Sequence, residues 1–171
     1  MNRRWLALAT SLGIFAADRG TKWMVESTFD FFDTKTVIPG FFNLVRSENP
    51  GVAFGIFSDT VSHNRTLALV TVSVIAIVVL AALLWKIEKQ DRYTAAGISF
   101  IFGGALGNVF DRVRSGRVTD FVDLYYGSYH WYIFNLADAA ICTGAVLLIL
   151  GMFLVKQDSD GKAMKRSEAG A

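Results

Sequence analysis

The chain has 171 residues, 53% of them hydrophobic, with a mean hydropathy of +0.39, which excludes an ordinary soluble domain and indicates one integral membrane domain. A net charge of +2 gives no hint of nucleic-acid binding. The single cysteine, Cys142, excludes an intrachain disulfide and a cysteine-ligated metal site, and reads as a small packing residue.

Four apolar runs, about residues 5–25, 66–85, 94–110 and 132–155, each approach the ~17–25 residues that span a bilayer. The first follows Arg3 and Arg4 and ends near Phe15-Ala16-Ala17, in the manner of a signal peptide. Cleavage there would leave three further spans and no secreted soluble domain, so a retained first helix explains the chain better. Within that helix Asp18 and Lys22 stand at i, i+4, acid first, the favourable order for an ion pair. Structural and catalytic roles both remain open for the pair. Burying an ionisable group in hydrocarbon costs at least ~2.5–3.5 kcal/mol, so each such residue calls for a partner or a task.

Residues 26–65 form an outward insert. Its stretch "TKTVIPGFFNLVRSENPGVAFGIFS" is rich in Thr, Val, Ile and Phe and broken by Pro39-Gly40 and Asn49-Pro50-Gly51. Short strands are predicted near 36–38 and 41–46, in a small outer sheet. Residues 52–57 stay apolar without the length to span, and are expected in the membrane interface. Gly51 and Gly55 flank Val52, Ala53 and Phe54, making this segment a candidate flap.

In the third span Gly103-x-x-x-Gly107 permits close helix approach, and Asn108, Asp111 and Arg112 follow on one helix face. In the fourth, Asn135 and Asp138 again share a face, with Asp138 placed about six residues into the helix, roughly 9 Å from its outer end. The short outward link between these spans carries Asp120 and Asp123. One of the two can meet Asp138 in a half-buried pocket, and spacing alone does not choose between them. Two carboxylates in a low-dielectric pocket do not readily both ionise, so the pair contains an acid and a base together. That suits hydrolysis of an amide by water without a metal or covalent intermediate. No H-E-x-x-H or G-x-S-x-G occurs, and His63 and His130 lack metal-ligand spacing.

Basic residues set the orientation. Arg3, Arg4, Lys86, Lys89, Arg92, Lys156, Lys162, Lys165 and Arg166 lie on one side, nine against the six on the other (Lys35, Arg46, Arg65, Arg112, Arg114 and Arg117). Both termini are therefore expected in the cytoplasm, with residues 1–158 forming the membrane domain and 159–171 a disordered tail. A small proton- or ion-conducting carrier, relaying through Asp18, Lys22, Asp111 and Asp138, is the alternative. It leaves the Asp120–Asp138 pair unexplained, and four spans without a repeat are few for a transporter.

The segments "DRGTK", "NPGVAFG", "GGALGNVFDR", "GRVTDFVD" and "FNLADAAI", in this order from Asp18 onward, are specific together. They identify a sequence that resembles lipoprotein signal peptidase, the type II or prolipoprotein signal peptidase. The resemblance implies an all-α integral membrane fold with four transmembrane helices, a small extracytoplasmic β-cradle and a short interfacial helix, in the bacterial inner membrane. It implies an aspartic endopeptidase that removes the signal peptide from diacylglyceryl-modified prolipoproteins by cutting immediately before the lipidated Cys. Its catalytic dyad falls on Asp120 and Asp138, which leaves Asp123 as a flank. Supporting or substrate-binding positions fall on Asp18, Lys22, Asn49, Gly51, Asn108, Asp111, Arg112 and Asn135. It implies no metal or cofactor, and as partners the prolipoproteins, membrane lipid and cyclic peptide inhibitors of the globomycin type. Two places depart from the family pattern: Arg19 stands where Gln is common, and Pro50-Gly51-Val52 where a small residue and Ala are frequent.

Overall fold

The structure, a computed structural model, describes residues 2–51, 63–87 and 91–169, with backbone alone for 63–66, 69 and 155–169. Four helices and a small antiparallel sheet make up these residues: α1 (Arg3–Thr28), β1 (Thr34–Ile38), β2 (Phe42–Asn49), α2 (His63–Trp85), α3 (Arg92–Ser115), β3 (Val118–Tyr126), β4 (Tyr129–His130) and α4 (Leu136–Ala169). The interfacial segment expected over 52–57, and with it the candidate flap, lies outside the described residues.

The helix ends follow local chemistry. Asn2 caps α1 by accepting from the Arg4 N–H at 3.0 Å, and Asp91 caps α3 by accepting from the N–H groups of Tyr93 and Thr94 at 2.9 and 3.0 Å. Gly116, at φ 73, ends α3 in the left-handed conformation and donates its N–H to the Arg112 carbonyl, a cap that a residue with a Cβ adopts only under strain. The Arg46 guanidinium donates to the carbonyls of Glu26 and Phe29 at 3.0 and 2.7 Å, closing the C-terminal end of α1 against the sheet.

Strand order in the sheet is β1-β2-β3-β4. The expected strands near 36–38 and 41–46 are present and longer than expected. The supposed link after α3 is itself a nine-residue strand, β3, pairing Asn43 with Asp123 and Ser47 with Asp120 across β2. Val118, Phe121, Val122 and Tyr125 supply β-branched and aromatic residues between Gly116 and the Gly127 turn, which suits a strand. Phe134 continues this pairing through a bridge to Val122, so the chain stays extended up to Asn135. The fourth helix therefore begins at Leu136, not near 132, and Asp138 sits in its first turn rather than six residues deep. At the other end, α4 continues to Ala169 where a disordered tail is expected from 159; Lys, Gln, Ala, Met and Glu propagate a helix already nucleated.

Helix packing rests on small residues. A Cβ on Gly103 would lie 2.6 Å from the Ser11 carbonyl of α1, and one on Gly104 would lie 2.5 Å from the Ala137 carbonyl of α4. α3 is thus the central helix, with its backbone against two neighbours. Burial is inverted relative to a soluble protein: Lys22, Asn135 and Asp18 are fully enclosed, whereas Val72, Val78 and Met152 point outward. Such an apolar exterior fits a lipid solvent. Among the described residues, α3 and the Leu136–Leu154 part of α4 are long and apolar enough to cross a bilayer; Val70–Trp85 of α2 is apolar but shorter.

Candidate active site

Five elements converge on one polar centre: α1 brings Asp18, Arg19 and Lys22, the end of β2 brings Asn49, α3 brings Asn108, Asp111 and Arg112, β3 brings Asp120, and the start of α4 brings Asn135 and Asp138. Alternation along β3 sends Asp120 and Asp123 to opposite faces. Asp120 faces Asn135, while Asp123 accepts from Asn43 Nδ2 at 2.9 Å and lies 2.8 Å from His130 Nδ1. The strand, which spacing does not reveal, thus separates the two candidates.

Asn135 ties the two remaining carboxylates together. Its Nδ2 donates to Asp120 Oδ1 at 2.6 Å, and its Oδ1 accepts from the Asp138 N–H at 3.0 Å. Asp138 Oδ2 in turn accepts from the Asn135 N–H at 3.3 Å, so the pair also forms a reciprocal cap on α4. Asn135 therefore belongs to the helix cap rather than to the helix face expected for it. Asn108 Nδ2 donates to Asp138 Oδ1 at 2.8 Å, and Asn49 Nδ2 donates to Asp120 Oδ2 at 3.2 Å. Gly51, at φ 92, donates its N–H to Asn49 Oδ1 at 2.9 Å. That conformation favours glycine, and it aims the Asn49 amide at Asp120.

Behind these carboxylates lies a second, ionic group. Lys22 Nζ forms ion pairs with Asp18 Oδ2 at 2.8 Å and Asp111 Oδ2 at 2.7 Å, and donates a hydrogen bond to Asn108 Oδ1 at 3.1 Å. Asp18 Oδ1 accepts from the Ala137 N–H at 3.0 Å, fixing the first turn of α4 from α1. A Cβ on Gly107 would lie 2.3 Å from Asp18 Oδ2, so the glycine makes room for this carboxylate. Arg19 completes the group by pairing with Asp111 and stacking over Phe110. Sequence reading passes over Arg19 because nothing in α1 announces a partner on α3.

Arg112 donates from Nη1 to the Asn108 carbonyl at 3.2 Å. Asn108 thus faces both groups, while Asp111 faces α1 alone. Burial, reinforced by the nearby charge of Asp138, pushes the Asp120 carboxyl up to about 7, against the opposing hydrogen bonds from Asn135 and Asn49.

The profile of the signal peptidase (SPase) II family matches residues 10–154. The chain belongs to the signal peptidase II family. It is 50% identical over 156 residues to a lipoprotein signal peptidase of Solibacter usitatus, covering 91% of this chain and 95% of that one. It is 40% identical over 153 residues to that of Maridesulfovibrio salexigens, covering 90% and 98%. A bacterial membrane enzyme solved by the in meso method at 2.3 Å superposes with a TM-score of 0.75 at 30% identity, over 91% of this chain and 90% of that one. The protein is accordingly a bacterial membrane peptidase that removes signal peptides from prolipoproteins, and the carrier alternative is not favoured.

Proposed function

We propose that this signal peptidase is an aspartic endopeptidase whose catalytic dyad is Asp120 and Asp138, and that it cuts diacylglyceryl-modified prolipoproteins immediately before the lipidated Cys. The observation that carries the reading is the single Asn135 side chain bonded to both units, at 2.6 Å to Asp120 and 3.0 Å to the Asp138 N–H. Asp120, buried and raised to about 7, holds the proton as the acid of the pair, which leaves the role of base to Asp138. Asp138 takes a proton from a water molecule as the water oxygen forms a bond to the scissile carbonyl carbon. Asp120 hydrogen-bonds the carbonyl oxygen as negative charge develops there. Collapse breaks the C–N bond, the leaving Cys amine takes up a proton from the dyad, and the signal peptide leaves as a carboxylate.

Asp18, Lys22, Asn49, Gly51, Asn108, Asp111, Arg112 and Asn135 hold the dyad and the start of α4 in place. Four spans with both termini cytoplasmic set the dyad near the outer face of the inner membrane. The nine-to-six division of basic residues supports this orientation. Substrate acyl chains, and inhibitors of the globomycin type, would reach the dyad from the bilayer. The test is cleavage of a diacylglyceryl prolipoprotein by purified protein in detergent, with product mass locating the cut. A product that does not begin at the lipidated Cys, or unimpaired turnover by Asp120→Asn or Asp138→Asn, overturns the reading.

A further inference from the structure

α1 and α2 each pack on α3, and between them a cavity of about 390 Å³ opens at the end of the bundle away from the dyad. The distance is set by α1 itself: Arg4 at the cavity precedes Asp18 at the site by about 21 Å of helix at ~1.5 Å per residue. The volume falls within the ~300–1,000 Å³ of ordinary ligand sites. Its lining is graded. Leu84 and Phe102 form the deep wall, continuous with the apolar cluster of Ala7, Ile87 and Ile98, and the exposed Leu8 flanks them. Trp5 and Trp85, 68% and 73% exposed, form the rim. Arg4 stands at the mouth with its guanidinium 5.4 Å from the Trp85 ring centre, beside the N-terminal end of α1.

Polar at one end, aromatic at the rim and aliphatic within, the cavity repeats the order of groups along a phospholipid. Indoles favour the headgroup level, and the positive end of a helix dipole adds to Arg4 in favouring an anion. Arg3, Lys86 and Arg92 place further positive charge at the same end of the bundle. Basic pockets between membrane helices suit phosphate headgroups. We infer that this cavity binds one anionic membrane phospholipid, its phosphodiester at Arg4 and one acyl chain between Leu8, Leu84 and Phe102, at a site separate from the dyad.

The full-length protein, carrying Trp23→Phe and Trp131→Phe so that emission comes from Trp5 and Trp85, is placed in phosphatidylcholine nanodiscs. A minor fraction of lipid is brominated on its acyl chains, as either phosphatidylglycerol or phosphatidylcholine. Brominated phosphatidylglycerol is expected to quench as though enriched about fivefold over its bulk fraction, the effect of roughly one basic residue near an anionic lipid. Arg4→Gln removes that excess, and Arg4→Lys retains part of it. Ala81→Phe, which leaves Arg4 in place and fills the cavity, also removes it. Equal quenching by the two lipids overturns the proposal, as does an excess that survives either Arg4→Gln or Ala81→Phe, since general surface attraction then accounts for it. Relief of the quenching by inorganic phosphate likewise overturns it in favour of a free anion. Prolipoprotein cleavage in detergent is expected to be unchanged in all these variants.

Discussion

Two sets of carboxylates lie side by side in this protein and are treated in opposite ways. Asp18 and Asp111 are matched with Lys22 and Arg19, two acids against two cations, all enclosed by helices. Among the described residues, Asp120 and Asp138 accept hydrogen bonds from amides: Asn49, Asn108, Asn135 and the Asn135 N–H. A cation favours its partner's charged form by direct attraction, whereas an amide N–H orients a carboxylate and favours its charged form more weakly. The first set therefore clamps α1 to α3 through ion pairs, and in the proposed mechanism the second shares and releases a proton. Asn108 joins them, accepting from Lys22 and donating to Asp138, so the clamp also sets which way that amide points.

The comparison breaks most severely at the amide-held pair. Asp120→Asn and Asp138→Asn each keep the hydrogen-bonding shape but remove the shared proton. Loss of turnover of at least ~10²–10⁴-fold is expected for each, the range of general acid–base catalysis, with melting in detergent little changed. Initial rates on a diacylglyceryl prolipoprotein measure it.

The clamp breaks differently. Lys22→Met leaves Arg19, which pairs with Asp111, as the remaining cation of the group, at an expected cost of about 3–5 kcal/mol, the range for removing one partner of a buried ion pair. Thermal or denaturant unfolding in detergent reads that loss. Activity falls as well, because Asn108 is no longer held from α1. A variant as stable as the parent would show that the two sets are not divided as described.

How much of this division is legible in sequence depends on whether partners are local. The Asp18–Lys22 pair is visible from i, i+4 spacing, and α3 brings its glycines against α1 and α4 as the Gly103-x-x-x-Gly107 pattern predicts. Asp111 and Arg19 belong to different helices, and no periodicity joins them. The resemblance chooses Asp120 over Asp123 where spacing is silent; the structure supplies the reason for their separation, a strand whose side chains alternate. The strand signal was present in "VTDFVDLYYGSYH", with β-branched and aromatic residues ahead of a Gly turn. Its carboxylates disguise it, since charged residues between two spans suggest a solvated link. The depth assigned to Asp138 fails for a related reason: apolar residues 132–134 read as helix when they are strand-paired, and Asn135 sets the start of α4.

A smaller effect tests the space made for the clamp. Gly107→Ala would put a methyl group 2.3 Å from Asp18 Oδ2, so the carboxylate must shift from Lys22 and from the Ala137 N–H, at about 1–3 kcal/mol for overpacking. Gly13→Ala on α1, with nothing within 4 Å of the added Cβ, is the control and should be neutral or slightly stabilising by its helix propensity. Unfolding midpoints of the two variants should therefore move apart.

The finest test concerns the proton itself. Burial raises Asp120 from 3.8 to about 7, so the folded protein holds this proton through the range in which an unfolded chain loses it. Stability contributed by that proton is greatest at low pH and declines as pH rises from about 4 toward 7, the direction opposite to a salt-bridged carboxylate. Activity follows the same group: with Asp120 as the acid, turnover should fall as pH passes about 7. Asn49 donates to Asp120 Oδ2 and favours the charged form, so Asn49→Ala should move this alkaline limb to higher pH. One net hydrogen bond is worth ~0.5–1.5 kcal/mol, which corresponds to a displacement of about one pH unit or less at 1.36 kcal/mol per unit. Lys22→Met should move the limb in the same direction, because the Lys22 charge also lowers Asp120. pH–rate profiles of kcat/KM for the parent and both variants decide the matter. A limb that Asn49→Ala leaves in place would mean that a group other than Asp120 supplies the acid, and would transfer the starting role of base from Asp138 to Asp120.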